Sequence, residues 1–213
     1  MVRLDGIRYD DDESRAAVKN VFGYEMGPDD MSRLAGARED DLIEISGGGT
    51  QFEVHMHSAD GERHATFTVS RSDQDIIIGD TYVRNSGEAQ GAGRDLVEAF
   101  DDMKALGVTK MEASAARSDG GRVQGMNGYY TWAKLGFTGM IPDSVLGEAQ
   151  ARFGTGITHV EQLMRLGRDG EQWWKEHGDT WDATFSFKDG SYSMRVLNAW
   201  RSRINRINRN GQK

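Results

Sequence analysis

The stretch that decides the fold is residues 87–96, GEAQGAGRDL. It follows a run of β-forming residues, DIIIGDTYVRN (75–85), and comes directly before a helical pattern. Gly91 and Gly93 let the backbone turn tightly and approach a ligand without interference from a Cβ. The N–H groups of Gln90 to Asp95 would converge at the positive end of the helix dipole, which suits a phosphate. The pattern is neither a Walker A motif nor the three-glycine dinucleotide fingerprint, so a simple turn is the alternative.

The residues upstream of this loop show the periodicity of strands. TQFEVHMHS (50–58) alternates apolar and polar side chains with a period of two, as a half-buried strand does. LIEIS (42–46) and HATFTVSR (64–71) predict its neighbours in a meander, with ADGE (59–62) as a hairpin turn. The first forty residues predict two short helices.

Downstream of the loop, strands and helices alternate. The apolar residues of GRDLVEAFDDMKAL (93–106) recur at helical spacing, and Gly107 ends the helix. VTKMEASAAR (108–117) predicts a strand, GYYTWAKL (128–135) a short helix and FTGMI (137–141) another strand. A strand–helix–strand–helix–strand centre behind an antiparallel meander predicts an α/β fold, with a mixed, mostly antiparallel sheet flanked by helices.

Residues 142–213 differ in character from the rest of the chain. They predict a helical insertion before a last strand, WDATFSF (181–187), and then a terminal helix over 191–209. We therefore expect two parts, a core of residues 1–141 and an appended part, 142–213, that packs on it.

Composition and charge narrow the class of protein. The 213 residues include no Cys, which excludes disulfides and thiolate metal sites. No stretch reaches the roughly 18 apolar residues of a membrane span, and the chain does not begin with an apolar signal region. We therefore expect a cytoplasmic protein that binds no membrane.

The charge is distributed unevenly along the chain. Residues 190–213 carry six basic and no acidic residues, whereas the whole chain has a net charge of −8. We expect the basic helix to pack on the acidic body, and contact with an anionic or protein partner is the alternative. Nucleic acid is not an expected partner, because basic residues are not interleaved with the tryptophans.

Three stretches, in their order and spacing, resemble the core motif of the GNAT superfamily of N-acetyltransferases. They are YVRNSGEAQGAGRDLVEAF (82–100), LGVTKMEASA (106–115) and YYTWAKLGFTG (129–139). The resemblance covers about residues 40–141, and the last stretch is similar to GNAT-like modules of phages and mobile elements. It implies a GNAT-like fold with acetyl-CoA as the co-substrate.

The resemblance also implies where acetyl-CoA binds. The glycine loop would bind the pyrophosphate through backbone N–H groups, and the strands before and after the following helix would splay apart to admit the pantetheine arm. The backbone of the first of these strands would hydrogen-bond the pantetheine and the acetyl carbonyl. The cofactor-binding residues implied in this way are Tyr82, Val83, Arg84, Gln90, Gly91, Ala92, Gly93, Arg94 and Asp95.

Two positions depart from the family pattern. Glu88 lies where the loop of the family usually opens with Arg or Gln, and Arg84 or Arg94 could offset its charge near the phosphates. Trp132 lies where the family usually has its general-acid Tyr, and an indole N–H cannot protonate a thiolate. Tyr129, three residues earlier on the same helix face, is therefore the candidate acid.

Acetyl transfer to an amine by direct attack needs a base, an oxyanion site and an acid for the departing thiolate. The candidate bases are strand carboxylates, namely Asp80, Glu53 and Glu112. His55 and His57 share a strand face with Glu53, and the predicted hairpin could bring His64 opposite them, a spacing that permits a metal. A solvated strand face is the ordinary interpretation of that pattern, so no metal is expected.

The sequence thus predicts an acyl-CoA-dependent N-acetyltransferase acting on an unidentified amine, either a small molecule or a protein lysine. The alternative is a catalytically silent GNAT-fold module with a structural or interaction role, for example in a phage particle or an effector. An open cleft at the glycine loop favours the enzyme. A cleft filled by Glu88, Trp132 or the inserted helices favours the silent module.

Overall fold

The structure is a computed structural model of the chain, and it describes residues 6–85, 92–117 and 128–210. The fold is α/β, with seven strands and eight helices in this described part. The strands are β1 (Ile7–Tyr9), β2 (Leu42–Gly48), β3 (Gln51–His57), β4 (Arg63–Ser72), β5 (Asp75–Asn85), β6 (Lys110–Ala115) and β7 (Trp181–Ser186). The helices are α1 (Asp12–Phe22), α2 (Pro28–Ala35), α3 (Ala92–Ala105), α4 (Gly128–Lys134), α5 (Asp143–Phe153), α6 (Val160–Arg165), α7 (Arg168–His177) and α8 (Tyr192–Asn210).

The strands form one mixed sheet in the order β1 to β7. β1 is parallel to β2, the strands from β2 to β5 form three antiparallel pairs, and β5 is parallel to β6. Helices α5, α6 and α7 lie in the chain between α4 and the last strand. The predicted α/β class and mixed sheet are confirmed.

The chain forms two compact units. One consists of Met1–Met111 with Arg201–Lys213, and the other of Glu112–Trp200. The predicted division at residue 141 was drawn from sequence character and stays a prediction.

In the first unit, helix α1 packs on strands β2, β3 and β4. The facing residues of β3 are Phe52, Val54 and Met56, all buried, which confirms the predicted period of two. Asp11 caps α1 by accepting the backbone N–H of Ser14 at 2.8 Å. This capping and the buried apolar face explain why such a short segment holds a helix.

Strand β5 contains a bulge at Asp80. Thr66 is aligned with Tyr82 and Thr68 with Gly79, so β5 has one residue more than β4 over this stretch. Asp80 has a φ of +48°, in the left-handed region where an extra residue is accommodated. The bulge was not predicted from the sequence, although a glycine inside a strand pattern is its usual signal.

Three segments differ from the sequence-based expectations. FTGMI (137–141) was predicted as a strand, but Thr138 bridges Thr184 while Met140 bridges His159, so the segment divides between two partners. The three-residue strand β1 is too short to show a period. Helix α5 buries only Ala149, so its sequence carries little apolar periodicity.

The first half of the terminal helix α8 packs through apolar side chains. Met194 and Leu197 are buried, and Trp200 Nε1 donates to the Lys134 carbonyl at 3.1 Å. Within the first unit, Arg201 forms an ion pair with Asp101. None of the described helices has both the length and the hydropathy that a membrane crossing requires.

An ion pair connects the start of β4 with the segment between α2 and β2. Arg63 Nη2 lies 2.5 Å from Asp41 Oδ2, and the Asp41 side chain is only 4% exposed. The same carboxylate accepts the backbone N–H of Arg38 at 2.7 Å. Removing the guanidinium would leave a buried charge without its counter-ion, which is more costly than losing a surface pair.

We predict that Arg63→Met lowers the free energy of unfolding by about 3 kcal/mol in urea denaturation. Arg33→Met is the matched control. It removes a guanidinium that pairs with Asp102 at the surface, where both side chains are more than one-third exposed. The control substitution should lower the free energy of unfolding by roughly 0–1 kcal/mol. Equal losses of unfolding free energy in the two variants would show that the buried Arg63–Asp41 pair stabilises the fold no more than a surface pair does.

Candidate functional site

The predicted pantetheine-binding residues lie at the end of β5. Val83 is aligned with Ala65 of β4, and Tyr82 and Arg84 are aligned with the β4 residues on either side of it. In an antiparallel ladder, alternate residues turn their N–H and C=O groups away from the partner strand. This end of β5 therefore has peptide groups that β4 does not use.

The predicted phosphate-binding residues divide between described and undescribed parts of the chain. Gln90 and Gly91, like Glu88, lie outside the described residues. Ala92 to Asp95 form the first turn of α3. The N–H groups of a first helical turn have no acceptor within the helix and lie at the positive end of its dipole. The first turn of the 14-residue helix α3 therefore has N–H groups of the kind that anions bind, and phosphate binding there stays a prediction.

Two of the three candidate bases lie on one face of the first unit. Glu53 is aligned with Thr68 across the β3–β4 ladder, and the Thr68 hydroxyl lies 3.5 Å from Asp80 Oδ2. Asp80 is exposed, and Glu53 Oε2 lies 3.4 Å from His55 Nε2. Glu112 is an exposed residue of β6 and belongs to the second unit. The structure therefore groups Asp80 and Glu53 through Thr68.

Tyr129, the candidate acid, is 9% exposed and has hydrogen bonds through both its backbone and its side chain. Its carbonyl accepts the indole N–H groups of Trp174 and Trp181, each at 3.0 Å. Its hydroxyl donates to the Lys175 carbonyl at 2.6 Å. Its backbone N–H donates to the Ala116 carbonyl at 3.2 Å. Tyr129 thus joins α4 to α7, β7 and the end of β6.

The C-terminal end of α7 is where the Tyr129 hydroxyl binds. Arg117 donates to the carbonyls of Gly178 and Glu176, and its guanidinium lies 5.3 Å from the centre of the Tyr129 ring. The last carbonyls of a helix have no partner within it, so these donors cap α7. A cation at this end also suits the helix dipole. The Tyr129 hydroxyl and Arg117 therefore act together as a cap.

A carboxylate follows this cap directly. The hydroxyl of Ser144 and the backbone N–H of Thr180 lower the pKa of Asp179, and Arg117 contributes to the same shift. Asp179 therefore stays ionised under conditions in which an ordinary Asp begins to take up a proton.

The other two aromatic residues of α4 differ in their surroundings. Trp132 packs against Phe137, with ring centroids 4.8 Å apart. Tyr130 is half-buried, and the ammonium groups of Lys134 and Lys175 lie 5.6 and 5.9 Å from its ring centre. A packed indole therefore lies at the position to which the GNAT resemblance assigns a general acid.

An open cavity that the sequence did not indicate lies between α2 and α3. Its volume is about 460 Å³, and its lining includes Arg33, Arg38, Arg63, Glu98 and Asp102. Arg33 and Arg63 already form ion pairs with carboxylates. The cavity is therefore mixed in charge and has no strong preference for an anion or a cation.

The polar face of strands β3 and β4 contains three histidines. His57 and His64 face each other across the ladder, and His55 is linked to His64 through the Thr66 hydroxyl. No group of three or more His, Asp or Glu side chains in the described ranges is placed to hold a metal ion.

Comparison of the chain with protein-family models finds no matching family, and a search of curated proteins finds no matching relative. The GNAT resemblance therefore depends on the sequence motifs and on the element order from β5 to α4.

We predict that Tyr129→Phe lowers the free energy of unfolding by about 1 kcal/mol, because the Lys175 carbonyl loses its donor. Tyr130→Phe is the matched control, the same change in the adjacent residue, and it should change the free energy of unfolding by less. Chemical denaturation of both variants measures the difference. Equal stability of the two variants would argue against a capping role for the Tyr129 hydroxyl.

Proposed function

We propose that this protein is an acyl-CoA-dependent N-acetyltransferase with a GNAT-like fold, which uses acetyl-CoA to acetylate an amine by direct attack. The observation that carries the proposal is the course of the chain from β5 to β6. A bulged strand leads through the glycine segment into α3, and the chain returns in a strand parallel to the first.

The pairing of β5 with β6 supports an acyl-CoA site at the end of β5. Ile77 is aligned with Lys110 and Ile78 with Met111, all near the starts of their strands. The bulge follows at Asp80, and β5 continues to Asn85. A bulge bends its strand and increases the local twist. The peptide groups of Tyr82 to Arg84 would then bind the amide groups of pantetheine.

The first turn of α3 would hold the pyrophosphate. The backbone N–H groups of Ala92 to Asp95 supply donors, and the helix dipole supplies positive potential. Gln90 and Gly91 complete the loop in this proposal, as the motif implies.

Proton removal from the attacking amine would fall to a carboxylate of the polar sheet face. Asp80 is the stronger candidate, because it is exposed at the bulge directly before the proposed pantetheine-binding residues. Glu53 and Glu112 stay as alternatives. An acidic protein favours a cationic acceptor, such as a small polyamine or a protein lysine. A cytoplasmic location and an origin in a phage or mobile element stay predictions.

A second candidate function is a silent GNAT-fold interaction module. It is favoured by the surroundings of the α4 aromatics, because the Tyr129 hydroxyl caps α7 and Trp132 is packed against Phe137. In that case the protein would bind acetyl-CoA without acetylating an amine, or would not bind acetyl-CoA at all.

Acetyl-CoA should raise the melting temperature of the wild-type protein, since a ligand at 100 times its Kd stabilises the folded state by about 2.7 kcal/mol. Gly93→Val should abolish this shift, because a branched side chain in the first turn of α3 obstructs the approach of a phosphate. Gly147→Val is the control, a helical glycine of α5 with no atom within 4 Å of an added Cβ. A shift that persists in Gly93→Val would contradict the proposed phosphate site.

Turnover separates the enzyme from the silent module. With a panel of amines, Asp80→Asn should lower the acetylation rate by about 10²–10⁴-fold while acetyl-CoA binding persists. Glu53→Gln and Glu112→Gln are the comparisons. Binding of acetyl-CoA with no acetylation of any amine by the wild type would favour the silent module.

A further inference from the structure

The end of the β3–β4 hairpin carries a pair of histidines in direct cross-strand register. His57 is aligned with His64, and their Nδ1 atoms lie 3.1 Å apart. Their ring centroids are 4.5 Å apart, and the His57 side chain is 45% exposed. An ion in solvent can therefore reach the two nitrogens.

The partners of the other ring nitrogens decide where the protons of His55 and His64 lie. Glu53 Oε2 lies 3.4 Å from His55 Nε2, and this negative carboxylate favours the tautomer of a neutral His55 that has its proton on Nε2. His55 Nδ1 then accepts from the Thr66 hydroxyl at 3.2 Å. A hydroxyl has one proton to donate, so Thr66 Oγ1 must accept from His64 Nε2 at 2.9 Å.

A nearby carboxylate also favours one position for the proton of a neutral His57. Its Nε2 atom faces Glu44 Oε2 at 3.9 Å, and the negative carboxylate favours a proton on that nitrogen. In these favoured tautomers, both His57 and His64 direct the lone pairs of Nδ1 toward each other. Two such lone pairs 3.1 Å apart repel unless a positive species lies between them.

We propose that His57 and His64 form a binding site for a divalent transition-metal ion such as Zn²⁺, with the two Nδ1 atoms as ligands. A proton shared by the two nitrogens is the competing occupant, which the ion displaces. The proposal concerns the β3–β4 hairpin and does not depend on acetyl transfer.

The geometry suits imidazole ligation. Zn–N bonds of about 2.0–2.1 Å at a tetrahedral ion place two ligand nitrogens roughly 3.3 Å apart, close to the separation in the hairpin. Imidazole is a ligand that Zn²⁺, Cu²⁺ and Ni²⁺ share. Oxygen atoms near the second ring nitrogen orient such ligands, and here they are those of Glu44 for His57 and of Thr66 for His64.

Two protein ligands leave the remaining positions of the ion for water or an external ligand. This is consistent with the lack of any group of three ligating side chains within the described residues. The site is therefore an open one, typical of a metal that takes a further ligand from solution.

Titration calorimetry with Zn²⁺ on the full chain tests the site. We expect one Zn²⁺ per chain, with release of about one proton, seen as a dependence of the heat on the buffer. His57→Gln and His64→Gln should each weaken binding about tenfold or more. Thr66→Val, which removes the partner of His64 Nε2, should weaken it by about tenfold without removing a ligand.

His177→Gln is the control, because His177 is also an exposed histidine near carboxylates, 3.7 Å from Glu148 and 3.9 Å from Glu176. It should bind Zn²⁺ as the wild type does. Amide NMR spectra show whether each variant is folded, and the ¹⁵N shifts of the imidazoles show whether Nδ1 is the ligand. No binding by the wild type, or undiminished binding by both His57→Gln and His64→Gln, would overturn the proposal. Loss of binding in His177→Gln alone would also overturn it.

Discussion

The left-handed backbone of Asp80 is the constraint on which the arrangement of β5 depends. The left-handed region costs an L-residue roughly 1–2 kcal/mol, and Asp is one of the few residues other than Gly that occasionally adopt it. The ladder with β4 continues on both sides of the bulge, from Ser72 opposite Asp75 to Arg63 opposite Asn85. A register shift that removed the bulge would therefore break the β4–β5 pairing on one side of it.

The bulge has a consequence for register. The buried β4 residues Val69 and Ala65 are aligned with Ile78 and Val83, so the alternation of β5 is reversed between its two halves. One half of β5 supplies the core of the first unit and pairs with β6. The other half is free to serve the proposed pantetheine site with its backbone. A regular strand would instead align Tyr82, not Val83, with Ala65.

In the second unit, polar bonds to one aromatic residue organise the packing. The Tyr129 carbonyl accepts from two indoles, and such polar groups contribute most when they are buried and satisfied. The same residue was the candidate acid because of its place in the motif. A hydroxyl that already donates to a helix-terminal carbonyl must exchange that bond before it can protonate a thiolate. The Tyr129 hydroxyl would therefore have to serve both as the cap of α7 and as the proton donor in catalysis.

Local patterns in the sequence predicted most of the elements. The residues of β5 were predicted without error at either end, because a run of β-formers stands between polar turns. The period of β3 and the two short helices of the first forty residues were equally readable. The contacts of Tyr129 were not, since its partners lie 45, 46 and 52 residues away along the chain. The sequence indicated that His64 could lie across the hairpin, and the register of the strands aligns it directly with His57.

The proposed function depends on one location for the acyl-CoA, and an amide NMR titration of the wild-type protein with acetyl-CoA tests that location most directly. The account predicts the largest shift changes at the amides of Ala92 to Asp95 and of Tyr82 to Arg84, with saturation at one ligand per chain. Saturable changes confined to other residues, or no changes at all, would contradict it.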